Sequence, residues 1–316
     1  MTKKVPSSRR KDLHIGDQVF YWILKVMAFG IIFLLIAFFV MLLKMSWPAL
    51  SKSGLSFFLI NEWNPVTEEY GALAYIYGTV ATSLIALVLS LPISLGAALL
   101  ITEIARGTVR SVLGFLVEML AAIPSIVYGL WGLFVVVPYL RETVQPFLSK
   151  YFGFLPIFEG APLGVGLMAA GIVLAIMITP TIATISREIF LTIPKVNKEG
   201  ALALGATRWE MINLSVLKSS LSGILGAGIL GLGRALGETM AVAMVIGNRG
   251  DISTSLFSPA QSMASLIANE YAEASGDIHL ASLTAIGFGL LLVSLFINSL
   301  ARIIVWKVDR RYRGSK

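Results

Sequence analysis

Two charged residues, Arg234 and Glu238, interrupt the otherwise uncharged and mostly apolar stretch from residue 221 to residue 248. Arg234 and Glu238 are flanked by residues 221–232 and 239–248, which contain no charged side chain. An arginine is a permanent cation with a planar set of N–H donors, and a carboxylate accepts hydrogen bonds or a proton. A spacing of four residues would place both side chains on one face of a helix. Because ionisable side chains inside a membrane usually mark a pathway, this pair predicts a functional site.

The composition indicates a protein that crosses a membrane several times. Of the 316 residues, 56% are hydrophobic and 14% are charged, which is too apolar for a soluble protein of this length. Lys and Arg number 25 against 18 Asp and Glu, but the basic residues lie beside apolar runs, so nucleic acid is not an expected partner. The chain has no cysteine, which excludes disulfides and thiolate metal sites.

Apolar runs predict an all-α integral membrane protein with six transmembrane helices. The runs cover residues 20–45, 72–101, 112–137, 162–185, 219–246 and 280–305. The first run follows a basic segment and is long enough to span a bilayer, so we expect an uncleaved helix rather than a signal peptide. Few basic residues fall on the predicted outer side, namely Lys52, Arg141, Lys150 and Arg249. The excess of positive charge on the other side places both termini in the cytoplasm.

These boundaries divide the chain into five parts. They are a cytoplasmic N-terminal segment 1–19, a first transmembrane helix 20–45, an extracytoplasmic loop 46–71, a five-helix core 72–306 and a basic cytoplasmic tail 307–316. The loop is rich in Trp, Phe and Asn, which predicts a short structured cap at the membrane interface. His14 and His279 lie outside the predicted spans, and we expect both at the surface.

The longest inner segment, residues 187–218, predicts two short helices that protrude as a knob. Asn197 is a candidate cap for a helix that begins at Lys198. Gly205 supplies a permissive backbone before a second helix at Ala206 or Thr207. The residues alone leave open whether the knob binds a partner or lies as an amphipathic hairpin on the membrane.

The sequence Glu199-Gly200-Ala201, followed by Gly205, resembles a loop of bacterial ABC-importer permeases. In that family the loop reads Glu-Ala-Ala-x-x-x-Gly and docks into a groove on the ATPase subunit. Gly200 replaces the first alanine, and Lys218 follows Leu217 where the family usually has proline. The resemblance implies an ATPase-coupling role for Glu199, Gly200, Ala201, Gly205, Ala206, Thr207 and Arg208.

The sequence around Arg234 and Glu238 also resembles this family. Arg-Ala-Leu-Gly-Glu, residues 234–238, is similar to a motif of oxyanion permeases, and the continuation through Asn248 resembles the phosphate branch. Similar segments also occur at residues 62–65, 77–79 and 123–132, so the likeness extends from about residue 15 to the C-terminus. The chain is identified as a member of this family, which implies the type I ABC-importer permease fold in the cytoplasmic (inner) membrane of a prokaryote.

What the resemblance implies is import of inorganic phosphate, with Arg234 as the anion-binding residue. Glu238 would neutralise Arg234 in the empty site or accept a proton from phosphate. Thr239, beside the pair, and Glu118, in the third apolar run, are further candidates for the substrate path. The alternative for Arg234 and Glu238 is a buried ion pair that only helps the helix to cross the membrane. For Glu118 the alternative is a hydrogen bond between helices.

No Gly-x-x-x-x-Gly-Lys-[Ser/Thr] phosphate loop occurs in the chain, so ATP must be bound elsewhere if it drives transport. The resemblance implies two copies of a separate ATP-binding subunit, a homologous second permease and an extracytoplasmic phosphate-binding protein. ATP and Mg²⁺ would belong to the ATPase, and we expect no cofactor, metal ligand or catalytic residue in this chain.

Other classes stay open as alternatives. Within the family, the substrate could be another oxyanion, such as sulfate or molybdate. An ion-driven secondary transporter would need matching internal repeats, which are not evident. A membrane enzyme would need a constellation such as His-Glu-x-x-His or a serine with a base, which the sequence lacks.

Two predictions concern the helix that carries Arg234. Closely spaced glycines predict close packing against a partner subunit, and they are Gly223, Gly226, Gly228, Gly231, Gly233 and Gly237. Because this run follows the knob directly, one continuous helix is predicted to link the knob to Arg234.

Overall fold

The computed structural model describes residues 15–313, and these are mostly helical. The helices are α1 Ile15–Ser53, α2 Leu73–Leu99, α3 Gly107–Ala121, α4 Ser125–Trp131, α5 Val137–Tyr139, α6 Gln145–Phe152, α7 Leu167–Leu191, α8 Lys195–Ala203, α9 Arg208–Met211, α10 Leu221–Leu236, α11 Met240–Val245, α12 Met263–Glu270 and α13 Asp277–Arg313. The π-helical turns are Leu100–Ile104, Gly132–Val136, Leu140–Val144 and Ile212–Leu217. Short 3₁₀ turns occupy Gly54–Phe58 and Pro156–Phe158, and the antiparallel strands are β1 Trp63–Asn64 and β2 Glu69–Tyr70. His14 and the ends of the predicted terminal segments lie outside the described residues.

Four helices of the described chain are long and apolar enough to cross a membrane. They are α1, α2, α7 and α13, the first extended by its 3₁₀ turn and the second by its π-helical turn. Two further bent pairs qualify if each is counted as one span: Gly107–Ala121 with Ser125–Phe152, and Arg208–Leu217 with Leu221–Leu236. The fold is therefore a helical membrane protein with four to six candidate spans, and the count of six with both termini inside stays a prediction.

The third apolar run is not one straight helix. α3 and the helical segment from α4 to α6 meet at 91° across residues 122–124. Pro124 explains the break, because proline disfavours helical backbone at the preceding residue and donates no backbone hydrogen bond. α4 then begins directly after Pro124.

A second bend separates the knob from α10, so the prediction of one continuous helix is wrong. The segment Arg208–Leu217 meets α10 at 70° across residues 218–220. Ser219 and Ser220 lie in this bend, and serine competes with helical hydrogen bonding through its own side chain. The Ser219 hydroxyl donates to the Leu214 carbonyl at 3.4 Å.

α7 is the central helix, and the other elements are arranged around it. It packs against α2, α10, α3 and α11, and most of its residues are buried. Two glycines of α10 lie against its isoleucines: a Cβ atom would come within 2.9 Å of Ile189 at Gly223 and within 2.6 Å of Ile182 at Gly231. These two glycines therefore serve packing within the chain, which corrects the prediction of a partner contact at those positions.

α1 stands apart from this core. It packs along α13, but the most apolar part of the helix has no buried residue. The predicted first helix, 20–45, is shorter than the helix observed, because Ile15–Ser53 continues through residues predicted to form the outer loop.

The segment after α1 is structured, as predicted. The 3₁₀ turn and the β1–β2 hairpin pack with the start of α2, with α12 and with α13 around a separate apolar cluster that includes Phe57, Met263 and Leu266. Thr79 of α2 holds the start of α12, because its hydroxyl accepts a hydrogen bond from the Met263 N–H at 2.9 Å. At Gly78 the Gln261 carbonyl comes so close that any Cβ atom would clash with it.

Candidate functional site

The helix that carries Arg234 ends two residues later. α10 stops at Leu236, Gly237 caps it, and α11 begins at Met240 after Thr239. Glycine is a poor helix former because it has the most backbone freedom to lose, so it favours an end at this point. The break begins at Gly237 inside the fifth apolar run, 16 residues beyond Leu221, which is about 24 Å along the helix axis.

Glu238 lies in this break and caps the next helix. Its Oε1 accepts a hydrogen bond from the Ala241 N–H at 3.2 Å. The first N–H groups of a helix have no partner within the helix, so a side-chain acceptor at this position stabilises the start of α11. Thr239, half-buried in the same break, donates to the Gly237 carbonyl at 3.3 Å.

Arg234 points to a different neighbour. Its Nη1 donates to the Thr181 hydroxyl of α7 at 2.9 Å, and the side chain is half-buried. The ion pairs within 4.0 Å formed by the described residues include neither Arg234 nor Glu238. The prediction that both side chains share one helix face is wrong, because α10 ends between them.

Thr181 was not found from the sequence. It follows Pro180 in the middle of α7, and this proline leaves the Ile176 carbonyl without its usual helical donor. Thr179, just before that proline, donates to the Ala175 carbonyl at 2.7 Å. The run Thr-Pro-Thr in the fourth apolar run marks a polar position in the sequence but does not indicate a contact with Arg234.

An open groove of about 700 Å³ runs along the other side of α10. Gly233 lies on its α10 wall, and Ser294, Asn298 and Arg302 line it from α13. A Cβ atom at Gly233 would lie 3.8 Å from the Asn298 side chain. Ile229, Leu230, Leu291 and Leu295 complete the lining, so the groove is mostly apolar with a polar strip along α13. Polar side chains are costly in contact with lipid, which makes this strip unlike an ordinary lipid-facing surface.

Glu118 is not in contact with Arg234 but with a second arginine. Its Oε1 accepts from Arg187 Nη2 of α7 at 2.9 Å, and the same nitrogen lies 2.9 Å from Glu188. Gly114 makes room for this contact, since a Cβ atom there would lie 2.8 Å from Arg187 Nη1. The sequence showed no basic neighbour at helical spacing because the partner belongs to another helix.

The predicted knob is present, but both helix starts are corrected, since α9 begins at Arg208 rather than at Ala206 or Thr207. α8 begins at Lys195, directly after Pro194, so Asn197 lies inside the helix and does not cap it. Gly205 takes φ +87°, the left-handed conformation that favours glycine. Thr207 then caps α9 in a reciprocal capping box with Glu210, as Thr-x-x-Glu predicts.

Most residues expected to couple to an ATPase are exposed on the knob. Glu199, Gly200, Gly205, Thr207 and Arg208 are exposed, whereas Ala201 and Ala206 are half-buried. Two apolar residues absent from the prediction project from the same surface, Leu204 at 91% and Trp209 at 65% exposure. An exposed apolar patch on a charged knob is typical of a protein-binding surface.

His279 is buried in the outer cap, so the prediction of a surface residue is wrong. Its Nε2 lies 3.2 Å from Glu270 Oε2, which also accepts from the Trp63 indole N–H at 2.8 Å. Tyr70 stacks on the imidazole with ring centroids 5.4 Å apart. Burial, with Glu68 and Glu270 nearby, raises the pKa of the Tyr70 phenol.

No group of three or more His, Cys, Asp or Glu side chains that could hold a metal ion occurs among the described residues.

The helical fold, the interrupted helix and the protruding knob define a class of membrane permease. The family model described as "Binding-protein-dependent transport system inner membrane component" matches residues 90–313. Solved ABC transporters share the fold. A permease chain from a bacterial alginate ABC transporter aligns with a TM-score of 0.60 and 18% identity, covering 93% of this chain and 99% of that one. A chain of the MetNI methionine ABC transporter in an inward-facing conformation aligns with a TM-score of 0.55 and 18% identity. The alignment covers 74% of this chain and 94% of that one.

Curated relatives narrow the family further. A protein of Mesorhizobium japonicum named phosphate transport system permease protein PstC is 45% identical over 94% of this chain and 92% of its own length. The protein of the same name from Pasteurella multocida is 44% identical over 98% of both chains. A probable PstC of the archaeon Methanocaldococcus jannaschii is 37% identical over 87% of this chain and 90% of its own. This chain belongs to the PstC family of ABC-importer permeases.

Proposed function

We propose that this chain is the permease subunit of an ATP-driven importer that moves inorganic phosphate across the cytoplasmic membrane. One observation carries the proposal: a half-buried arginine beside a helix break, whose hydrogen bond in the described structure goes to a neutral hydroxyl. The names of the PstC relatives point to phosphate as the substrate.

Phosphate carries one to two negative charges at neutral pH and cannot cross hydrocarbon without a compensating cation. A guanidinium keeps its proton and pairs with two phosphate oxygens at once. Arg234 supplies that cation, and Thr181 holds it toward α7 while its own O–H group can donate to the anion. Thr239, in the same break, offers a second hydroxyl.

Glu238 is the second functional residue of the proposal. Its carboxylate caps α11 and forms no ion pair with Arg234 within 4.0 Å, so it either offsets the charge of Arg234 at longer range in the empty site or accepts a proton from phosphate. Glu118 is a weaker candidate for the substrate path, because its carboxylate already forms an ion pair with Arg187.

A second, homologous permease completes the path. The groove between α10 and α13 supports this, since its polar side chains need a protein or water cover within a membrane. The knob of α8 and α9 docks into one of two copies of a separate ATPase subunit, which binds ATP and Mg²⁺. An extracytoplasmic phosphate-binding protein delivers the substrate to the outer side, with both termini of this chain in the cytoplasm.

The test is phosphate uptake by the complete complex reconstituted in liposomes, with the binding protein on the outer side. We expect Arg234→Ala to reduce uptake by roughly 10- to 100-fold, the effect of losing charge-assisted hydrogen bonds. Arg234→Lys should also be impaired, because lysine keeps the charge but not the bidentate geometry. Arg141→Ala, which removes an exposed arginine of the π-helical turn Leu140–Val144, is the matched control.

Normal uptake by both Arg234 variants would refute the assignment. Competition between phosphate and sulfate or molybdate in the same liposomes identifies the substrate. Uptake of sulfate or molybdate in preference to phosphate would keep the permease function and replace the proposed oxyanion.

A further inference from the structure

A buried ion pair joins the knob to α2. Lys198 Nζ of α8 donates to Glu103 Oε1 at 2.6 Å. The Glu103 side chain is only 7% exposed and that of Lys198 is 19% exposed. Among the ion pairs of the described residues that do not involve histidine, this one has the most buried carboxylate.

Both partners occupy distinctive places. Lys198 immediately precedes Glu199, the first residue of the predicted ATPase-binding motif. Glu103 lies in the π-helical turn Leu100–Ile104 that ends α2. A π-helical turn accommodates an extra residue and is frequent at functional sites.

Apolar packing supports the same link. Leu95 and Leu99 of α2 lie in a cluster with Ala201 of the knob and Ile212 of the following turn. Next to Lys198, the Asn197 carbonyl accepts from the Ser215 hydroxyl at 3.2 Å. The knob is therefore held to α2 by charge and by packing.

The alternative route from the knob to Arg234 is broken. The segment Arg208–Leu217 meets α10 at 70°, so a displacement of the knob is not transmitted to Arg234 along one straight helix. α2, in contrast, is helical from Leu73 through Ile104 and packs on both α7 and α10, the helices of Thr181 and Arg234.

We infer that Glu103 is a positioning residue that ties the knob to α2, so that movement of a bound ATPase reaches the Arg234 site through α2. This inference rests on the proposed function. Removing one partner of a buried ion pair leaves the other charge uncompensated, so the tether is sensitive to single substitutions.

The experiment compares Glu103→Gln, Lys198→Met and the reversed pair Glu103→Lys with Lys198→Glu in the reconstituted complex. Uptake and ATP hydrolysis are measured on the same preparation, along with the amount of ATPase subunit that co-purifies. We expect each single variant to lower the phosphate transported per ATP hydrolysed by roughly fivefold or more, with ATPase binding retained. The reversed pair should recover at least part of that ratio. Lys52→Met with Glu68→Gln, which removes an ion pair of the outer cap exposed at 50% and 56%, is the matched control.

A second readout does not depend on the substrate. Binding of a non-hydrolysed ATP analogue to the complex should change hydrogen exchange in α2, and Glu103→Gln should abolish that change while leaving the protection of α8 intact. Failure of the wild-type complex to import phosphate would count against the proposed function, whereas this exchange readout would still test the tether.

An unchanged transport-to-hydrolysis ratio with unchanged exchange in α2 would overturn the inference. If the single variants fail to assemble, Glu103→Asp, which keeps the charge but withdraws it by one methylene group, is measured instead. Full coupling in that variant, with the reversed pair also unable to assemble, would assign Glu103 a role in folding only and overturn the inference.

Discussion

At the scale of single residues, Arg234 and Glu238 have different neighbours although they are four residues apart in the sequence. Arg234 binds the Thr181 hydroxyl across to α7, and Glu238 binds a backbone N–H of α11. The sequence revealed both charges because the flanking residues 221–232 and 239–248 contain no other charge. It could not reveal Thr181, whose partnership depends on the packing of α7 against α10.

The two roles of Glu238 can be separated by substitution. Glu238→Gln keeps an oxygen that can accept from Ala241 N–H but removes the charge, whereas Glu238→Ala removes both. We expect the Gln variant to lose about tenfold in phosphate uptake at nearly unchanged thermal stability. The Ala variant should lose uptake and also about 1 kcal/mol of stability through the missing cap.

Liposome uptake and thermal unfolding of the purified complex measure the two effects. Wild-type uptake and full rejection of sulfate by Glu238→Gln would limit Glu238 to the capping role.

At the scale of elements, the apolar runs located every long helix but missed both bends. The first bend had a signal in Pro124, which lies inside the run predicted as one span. The second had only two serines, and its angle depends on how the base of the knob packs against α2 and α7. Gly205 was predicted correctly because a left-handed residue between two short helices has a strong local preference.

The knob provides a test in which two glycines should respond in opposite ways. At Gly205 an added Cβ atom would have no neighbour within 4 Å. The only cost of Gly205→Ala is therefore the strain of the left-handed backbone, about 1 kcal/mol of conformational free energy. Gly200 lies inside α8 with open space around it, so Gly200→Ala should favour the helix. We expect roughly fivefold weaker binding of the ATPase subunit for Gly205→Ala and no loss for Gly200→Ala.

Binding of the purified ATPase to the permease in detergent, followed at increasing concentrations, measures both. Equal affinity for the two variants would mean that the turn at Gly205 does not orient the docking surface.

At the scale of the whole molecule, the described chain has three apolar clusters: one around α7, one in the outer cap and one at the base of the knob. The Arg234 site belongs to the first, and α2 contributes to all three. The helical membrane class and the positions of the long apolar helices followed from composition and hydropathy, and the topology stays a prediction. The burial of His279 against the hairpin could not be predicted in this way. It depends on contacts between segments more than 200 residues apart, such as that between Trp63 and Glu270.

The break between α10 and α11 also has a consequence for where water goes. A helix that stops inside a membrane leaves backbone carbonyls and N–H groups without helical partners, and hydrocarbon cannot satisfy them. Part of this need is met within the protein, since the Gly237 and Glu238 N–H groups donate to the Ala235 carbonyl and the Thr239 hydroxyl donates to the Gly237 carbonyl. We predict that a hydrated channel satisfies the remaining groups of residues 237–239 during transport. We expect the amides of these three residues to exchange with deuterium well before those of α10 and α11 on either side. Exchange as slow as in the flanking helices would mean a dry break, and a dry channel at this depth could not receive a hydrated anion.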